Sequence, residues 1–310
     1  MSALAKPVGL GFGLLGVSNV APISDAEAER MFAAALDLGI RRFDTAPLYG
    51  GGVSEERLGR LLGGLKRSSY RLSTKVGRYR PYAAAVSNPM DNPGDWHDYS
   101  ADATRRSIEQ SLARLGTDRL DIVFIHDCDA HIAEALDGAL PALADLKSQG
   151  VIGAIGCGSN VAVTHVDLLQ RFELDVLMVA GRFTLLDQSA APELLPLALA
   201  KGVEVELAAP FNSGILATGA SEPNTRFDYL APDEAMLSRV SQIERSCWAH
   251  GTTLKRAALG YPAAHPAINR LVLGLIGPAG LKSNLADLQV PPPMALWDDL
   301  VGIGVPHPLG

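Results

Sequence analysis

Four side chains of different chemistry stand at or near the ends of apolar runs. Asp44 follows Arg41-Arg42-Phe43, Tyr49 comes five residues later in a glycine-rich turn, Lys75 ends Ser73-Thr74-Lys75, and His126 closes Ile122-Val123-Phe124-Ile125. A carboxylate, a phenol, an ammonium and an imidazole are groups that hold, give and take protons. Alone, each is ordinary: an Asp at a strand end caps, a loop Tyr packs, a Lys after a strand reaches solvent, and a His there is satisfied by backbone. Asp44, however, ends a buried run, where a carboxylate is costly unless paired. Together, Asp, Lys and His close three successive strand-like runs, and Tyr49 lies in the loop after the first.

The elements that must position them alternate in two periods. Apolar runs read as strands at Leu10–Gly13, Ile40–Asp44, Tyr70–Lys75, Leu120–His126, Ile152–Cys157, Asp175–Ala180, Val203–Ala209 and Leu271–Ile276. Several are rich in Val, Ile and Leu without polar alternation, as strands buried on both faces are. Between them, Ala28, Met31, Phe32, Ala35 and Leu36 share one face of a 3.6-residue period, as do Leu58, Leu61, Leu62 and Leu65, and Leu136, Leu140, Leu143 and Leu146. Ser24, Ser54 and Ser100 stand where helix N-caps belong, and Gly39, Gly150 and Gly202 stand between a helix and the next strand. Eight βα repeats predict an α/β fold, a closed (β/α)8 TIM barrel in which residues 1–310 form a single domain. An open doubly wound sheet is the alternative. On a barrel, strand C-termini form the active face, which is where Asp44, Lys75 and His126 fall.

Composition narrows the partners. The chain has 310 residues, 47% hydrophobic and 20% charged, and a net charge of −7, with pI about 5.5. A large core is expected, and an acidic surface argues against nucleic acid or anionic membrane as partner. A small-molecule substrate fits better. Cys128, Cys157 and Cys247 are scattered and odd in number, so no disulfide framework is expected. No apolar run approaches the ~20 residues of a membrane span, and Met1 to Pro7 does not read as a signal peptide. The expectation is a cytoplasmic protein; the oligomeric state is left open.

Other motifs are set aside on physical grounds. Gly11-Phe12-Gly13-Leu14-Leu15-Gly16 matches G-x-G-x-x-G, but Val17-Ser18-Asn19-Val20-Ala21-Pro22 is not the helix that a dinucleotide fold starts on its glycines. His126-Asp127-Cys128-Asp129-Ala130-His131 offers metal-ligand types at no standard spacing, and neighbours on an extended chain point opposite ways, so no metal is expected. Two long segments, Gly77–Tyr99 with Trp96 and Asn212–Asp233, follow strand ends and are expected to form lids or substrate walls.

Phe43-Asp44-Thr45-Ala46-Pro47-Leu48-Tyr49-Gly50, Ser73-Thr74-Lys75-Val76-Gly77 and Arg114-Leu115-Gly116-Thr117-Asp118-Arg119-Leu120-Asp121-Ile122 leading into His126 resemble the aldo-keto reductase superfamily over nearly the whole chain. The resemblance implies a (β/α)8 barrel, NAD(P) at its mouth, and a catalytic tetrad of Asp44, Tyr49, Lys75 and His126. The chemistry accounts for these types. Hydride moves between nicotinamide C4 and a carbon bearing oxygen, and a proton moves on that oxygen. A free phenol titrates near ~10, too high for efficient work at neutral pH. A Lys75 cation beside Tyr49 favours the phenolate, Asp44 holds Lys75, and His126 orients the substrate oxygen.

The same resemblance places further residues. Ser159 and Asn160 fall where the family holds the carboxamide, although a helix N-cap role fits them too. Asn212, Ser213, Gly214 and Leu216 fall at the pyrophosphate, Gly277 opens the last barrel helix, and Asn284 matches an adenine-contacting Asn. Gly11 and Phe12 are further cofactor candidates, and Trp96 and Phe211 substrate candidates. Ala180 and Ala208 stand where many relatives carry Gln and a stacking Tyr. Gly274 to Leu281 carries no charge where NADP-preferring relatives place Lys or Arg, so NAD is expected over NADP. Gly181-Arg182-Phe183-Thr184-Leu185-Leu186-Asp187-Gln188 and Pro210-Phe211-Asn212-Ser213-Gly214-Ile215-Leu216 resemble the branch of bacterial aldose 1-dehydrogenases, of L-fucose and D-threo-aldose types, and NAD-dependent pyridoxal 4-dehydrogenase. That branch implies oxidation of a cyclic hemiacetal to a lactone. A general NADPH-dependent aldehyde reductase and a non-catalytic nucleotide-sensing barrel are the alternatives.

Overall fold

The computed structural model describes residues 7–11, 24–80, 96–274 and 277–310. The chain divides into two compact units, one formed by Val8–Met178 with Leu273–Leu281, the other chiefly by Val179–Val272 with Lys282–Gly310. Strands are numbered β1(Val8–Gly11), β2(Arg42–Asp44), β3(Arg71–Val76), β4(Arg78–Tyr79), β5(Trp96–His97), β6(Leu120–His126), β7(Ile152–Ser159), β8(Val176–Ala180), β9(Glu204–Ala208) and β10(Ile268–Gly274).

In the first unit, β1, β2, β3, β6 and β7 pair in parallel, with Leu10 opposite Phe43, Asp44 opposite Ser73, Lys75 opposite Phe124 and His126 opposite Gly158. β8 lies beside β7. Helices Asp25–Asp37, Val53–Leu62, Ala101–Leu115, Leu140–Ser148 and Ala162–Arg171 connect them. Most of each apolar stripe is buried: Ala28, Met31, Phe32 and Ala35 in the first, Leu58 and Leu62 in the second, while Leu36 and Leu61 are half-buried and Leu65 lies past the end of the second helix at Leu62. β6 runs through Ile122, Val123, Phe124 and Ile125, all fully buried, as expected for a strand covered on both faces. Ser24 caps the first helix in a reciprocal box with Glu27, and Ser100 caps the helix Ala101–Leu115.

Ser54 is not a cap. The helix begins at Val53 after Gly52, and Ser54 is buried with its hydroxyl 2.8 Å from Thr45 Oγ1. The segment after β3 also holds more order than a loop: Arg78–Tyr79 pairs antiparallel with Trp96–His97, and Tyr79 and Trp96 lie with ring centroids 5.9 Å apart.

In the second unit, β9 and β10 pair in parallel, with Ile268 opposite Val205 and Val272 opposite Ala208. Helices Leu194–Lys201, Ile215–Thr218, Glu234–Ala249, Leu254–Ala264 and Met294–Gly302 surround a core that includes Leu207, Val240, Ile243, Leu259 and Trp297. β10 begins three residues before the expected apolar run. Its early polar residues are paired: Asn269 accepts from the Val205 amide at 2.7 Å, and Arg270 Nε is 3.4 Å from the buried Glu206. No described helix is long and apolar enough to cross a membrane.

Candidate active site

Strand register gathers the four candidate residues within the first unit. Side chains on a strand alternate between faces, and directly paired residues of parallel strands point the same way. Asp44 is paired with Ser73, Lys75 is two residues beyond Ser73 and paired with Phe124, and His126 is two residues beyond Phe124. Asp44, Lys75 and His126 therefore share one face at the C-terminal ends of three adjacent strands. All are buried, at 4%, 2% and 6% exposure.

The turn after β2 brings in the fourth. Tyr49 starts a short 3-10 turn whose Gly50, Gly51 and Gly52 have φ of 67°, 64° and 104°, a left-handed run that side-chain-bearing residues resist. The helix that follows is anchored by Glu55, which is fully buried. Glu55 accepts from Thr74 Oγ1 at 2.6 Å and Arg114 Nε at 2.7 Å, tying the turn to β3 and to the helix Ala101–Leu115. Tyr49 itself is half-buried.

The contacts form a connected site. Lys75 Nζ donates to Asp44 Oδ2 at 2.5 Å and to the Thr45 carbonyl at 2.9 Å. The same ammonium lies 4.9 Å from the centre of the Tyr49 ring. The rings of Tyr49 and His126 meet edge to face with centroids 5.9 Å apart. Burial works against the Lys75 cation, but Asp44 and then Tyr49 more than offset it, so the pKa of Lys75 rises and the group stays charged. His126 goes the other way. Burial, then the charges of Lys75 and Arg78, hold it well below the usual imidazole range, so it is neutral near pH 7. Its Nδ1 is buried without a hydrogen-bond partner among the described residues. Tyr99 fixes the end of β6 by donating to the carbonyls of His126 at 2.6 Å and Asp127 at 3.0 Å. Arg78 pairs with Asp127 at 2.6 Å.

The cofactor candidates divide between the units. In the first, Gly11 is paired with Asp44 at the end of β1, and Phe12 lies outside the described residues. Ser159 ends β7; its hydroxyl donates to Asp129 Oδ1 at 2.7 Å and accepts from the Val161 amide at 2.9 Å. Neither Ser159 nor Asn160 caps the next helix, whose N-cap is Val161. Asn160 is exposed, and Gly277 precedes the helix Pro278–Leu288. Trp96 is 47% exposed at the hairpin.

In the second unit, Asn212, Ser213 and Gly214 form a turn after β9 with φ of 44°, 64° and 111°. Asn212 Nδ2 donates to the Gly181 carbonyl at 3.1 Å, and Ser213 Oγ accepts from the Tyr229 amide at 3.0 Å. Leu216 is fully buried and Phe211 half-buried. Asn212 Oδ1 and Asn284 Oδ1 are buried acceptors with no partner among the described residues. Buried polar atoms are nearly always satisfied, so two orphaned acceptors fit a ligand that brings donors. A nicotinamide dinucleotide, with its amino and hydroxyl groups, is such a ligand.

Arg42, Ser73, Glu55 and Arg78 also surround the site but do not stand out in the sequence. The period-2 relation of Ser73 to Lys75 and of Arg42 to Asp44 was the signal available for two of them.

A buried cluster of titratable side chains at the ends of parallel strands, joined by helices, places the chain in the α/β class. The family model for the aldo/keto reductase family matches residues 7–298, and the chain belongs to that family, whose members are nicotinamide-dependent oxidoreductases. It is 36% identical to a D-threo-aldose 1-dehydrogenase from Pseudomonas sp, over 96% of this chain and 94% of the relative. It is 33% identical to a pyridoxal 4-dehydrogenase from Microbacterium luteolum, over 96% and 94%. Its fold is that of the aldo-keto reductase AKR11C1 from Bacillus halodurans, with a TM-score of 0.79 at 24% identity, covering 99% of this chain and 94% of that one. This is the TIM-barrel type.

Proposed function

We propose that the protein is an NAD-dependent dehydrogenase that oxidises a cyclic hemiacetal, an aldose or a pyridoxal-like compound, to its lactone. The observation that carries this reading is the Lys75 ammonium, paired with Asp44 at 2.5 Å and set 4.9 Å from the Tyr49 ring, beside a neutral His126. Relatives named for aldose and pyridoxal oxidation support the substrate class. Both kinds of substrate exist largely as ring hemiacetals, whose carbinol carbon gives a lactone on oxidation.

When bound, the nicotinamide accepts the two electrons taken from that carbon. Tyr49 removes the proton of the carbinol hydroxyl, and the Lys75 charge stabilises the phenolate that does so. Asp44 keeps Lys75 protonated and in place. His126, uncharged, hydrogen-bonds the reacting oxygen and orients it without competing for the proton. Ser159 and Asn160 are assigned to the carboxamide; Asn212, Ser213, Gly214 and Leu216 to the pyrophosphate; Gly277, at the opening of the last barrel helix, and Asn284 to the adenosine end, Asn284 to the adenine; and Gly11 to the approach of β1. Closure of eight strands into one (β/α)8 domain and a cytoplasmic location belong to the same proposal. NAD is assigned over NADP because Gly274 to Leu281 offers no cation. Lys255 and Arg256 are held by Asp287 at 3.1 and 3.4 Å.

The test is a screen of NAD+ reduction over aldoses and pyridoxal with the purified protein, with lactone identified as product. Reduction of aldehydes by NADPH with no oxidation of any hemiacetal would instead identify a general aldehyde reductase.

A further inference from the structure

The Asp44–Lys75 pair is itself held from behind by two buried residues that the mechanism does not use. Arg42 and Asp44 are two apart on β2, and Ser73 and Lys75 two apart on β3, so all four side chains share a face. Arg42 Nη1 donates to Ser73 Oγ at 2.8 Å and to the Phe43 carbonyl at 3.0 Å. A guanidinium only donates, so Ser73 Oγ is the acceptor there and its single proton is directed onward. That proton goes to Asp44 Oδ1. Arg42 is 3% exposed and Ser73 fully buried, so no water competes for these bonds.

Asp44 therefore has one oxygen held by Ser73 and the other by Lys75, and its carboxylate plane cannot turn. Lys75 spends one N–H on Asp44 and one on the Thr45 carbonyl. A third is left for the phenol of Tyr49. Among the described residues, the charged and titratable groups around Asp44 and Tyr49 are Arg42 on β2, Lys75 on β3, Tyr49 itself in the turn and His126 on β6. β1 brings only Gly11 opposite it.

We propose that Ser73, oriented by Arg42, is a positioning residue of the proton-transfer site: its hydroxyl fixes Asp44, and Asp44 fixes Lys75 beside Tyr49. The proposal rests on the reading of Tyr49 as the proton-transfer group. Without Ser73 the carboxylate can rotate, Lys75 loses its fixed place, and the phenolate loses part of its stabilisation. A residue that only filled space would change folding and leave the titration of the phenol where it was.

The experiment follows NAD+-dependent oxidation of the best hemiacetal substrate across pH for the wild type, Ser73→Ala and Lys75→Met. NADH binding by fluorescence and a thermal melt accompany each. In Ser73→Ala the limb of the pH–rate profile that reports the phenol moves up by about one pH unit, and kcat falls about tenfold, the worth of a hydrogen bond to a charged group. NADH binding stays within about twofold, since no cofactor contact is touched. Lys75→Met moves the limb further. An unmoved limb in Ser73→Ala, with Lys75→Met moving it, overturns the role of Ser73 alone. An unmoved limb in Lys75→Met overturns the reading of Tyr49 and this proposal with it. If Ser73→Ala does not fold, Ser73→Cys keeps the volume with a weaker donor and carries the same comparison, with a smaller upward shift expected.

Discussion

The ends of β2, β3 and β6 and the turn after β9 present functional groups in opposite ways. At the strand ends, Asp44, Lys75 and His126 sit on regular backbone, and register alone brings their side chains to one face. In the turn after β9, Asn212 and Ser213 adopt left-handed φ that non-glycine residues rarely take. There the backbone is bent away from its preference, and the amides of Asn212, Gly214 and Leu216 are held by the Ala209 and Phe211 carbonyls at 3.0–3.2 Å. Strand ends suit a reaction that needs atoms fixed to fractions of an ångström. A bent, connecting segment suits contact with a ligand more than the fixing of reacting atoms. Substitutions should therefore act sharply on turnover in the first region and more gradually on binding in the second.

The sharpest break of that contrast is at Tyr49. Tyr49→Phe removes one oxygen from a site whose other groups stay in place. Loss of general acid–base catalysis should cut kcat by ~10² or more while NAD+ binding is nearly unchanged. The check is kcat with a good substrate beside a nucleotide titration. Retention of most of the wild-type kcat would take Tyr49 out of the mechanism.

Cofactor choice comes next in size and probes the binding side. A 2′-phosphate carries nearly two negative charges and must be paired when it leaves water. Gly274 to Leu281 has no Lys or Arg. Lys255 is already engaged by Ser283 at 2.6 Å and by Asp287. NADP should lose at least the ~1.5–3 kcal/mol of a charged hydrogen bond, more than tenfold in affinity. Values of kcat/KM for NAD+ and NADP+ at low salt decide it. Equal values would mean that another cation, such as Lys282, reaches the phosphate.

The same contrast explains what could be read from sequence. β6 shows its bounds in the sequence because Leu120–His126 is apolar apart from Asp121 and its terminal His126. Asp44 and His126 are legible because each ends such a strand, and Lys75 because it stands one residue before the end of β3. β10 was placed late because Asn269 and Arg270 look like loop residues until Val205 and Glu206 are seen to pair with them. β2 starts at Arg42, two residues later than expected: the Ile40 amide still bonds back to the Ala35 carbonyl of the first helix, and Arg41 meets β3 only through its carbonyl, which accepts from the Arg71 amide at 2.7 Å. The buried Arg42–Ser73 link was invisible for a similar reason: a polar residue in a strand declares its partner only through register. The short hairpin of β4 and β5 leaves no trace in the sequence, because two-residue strands carry too little periodicity.

A smaller effect is expected where the turn that delivers Tyr49 meets its anchor. Gly52 has φ of 104°, and a Cβ there would stand 2.8 Å from Arg114 Cδ and 2.9 Å from Nε. Arg114 Nε is the donor to buried Glu55. Gly52→Ala therefore strains the backbone by roughly 1–2 kcal/mol and displaces the arm that satisfies Glu55. The melting temperature should fall by several degrees, with kcat reduced less than in Tyr49→Phe. An unchanged melt would mean that the turn tolerates a side chain and the Arg114–Glu55 pair is not what holds it.

The smallest expected effect is the most discriminating for the binding side. Asn284 is 1% exposed, and its Oδ1 has no partner among the described residues. An unsatisfied buried acceptor costs stability in the free protein and is repaid only when a donor arrives. If that donor is the adenine amino group of the cofactor, Asn284→Ala should have opposite consequences in the two states. The free protein should melt at the same temperature or slightly higher, because the cavity left by the truncation is offset by removal of the unpaired oxygen. The bound form should lose one neutral hydrogen bond, about two- to tenfold in KM for NAD+, with kcat unchanged. Melting curves with and without NAD+ measure both sides at once, since binding to the folded state alone raises the melting temperature. A variant that melts lower without NAD+ and gains as much from it as the wild type would show that Asn284 serves packing, and the adenine contact would have to be sought elsewhere in the second unit.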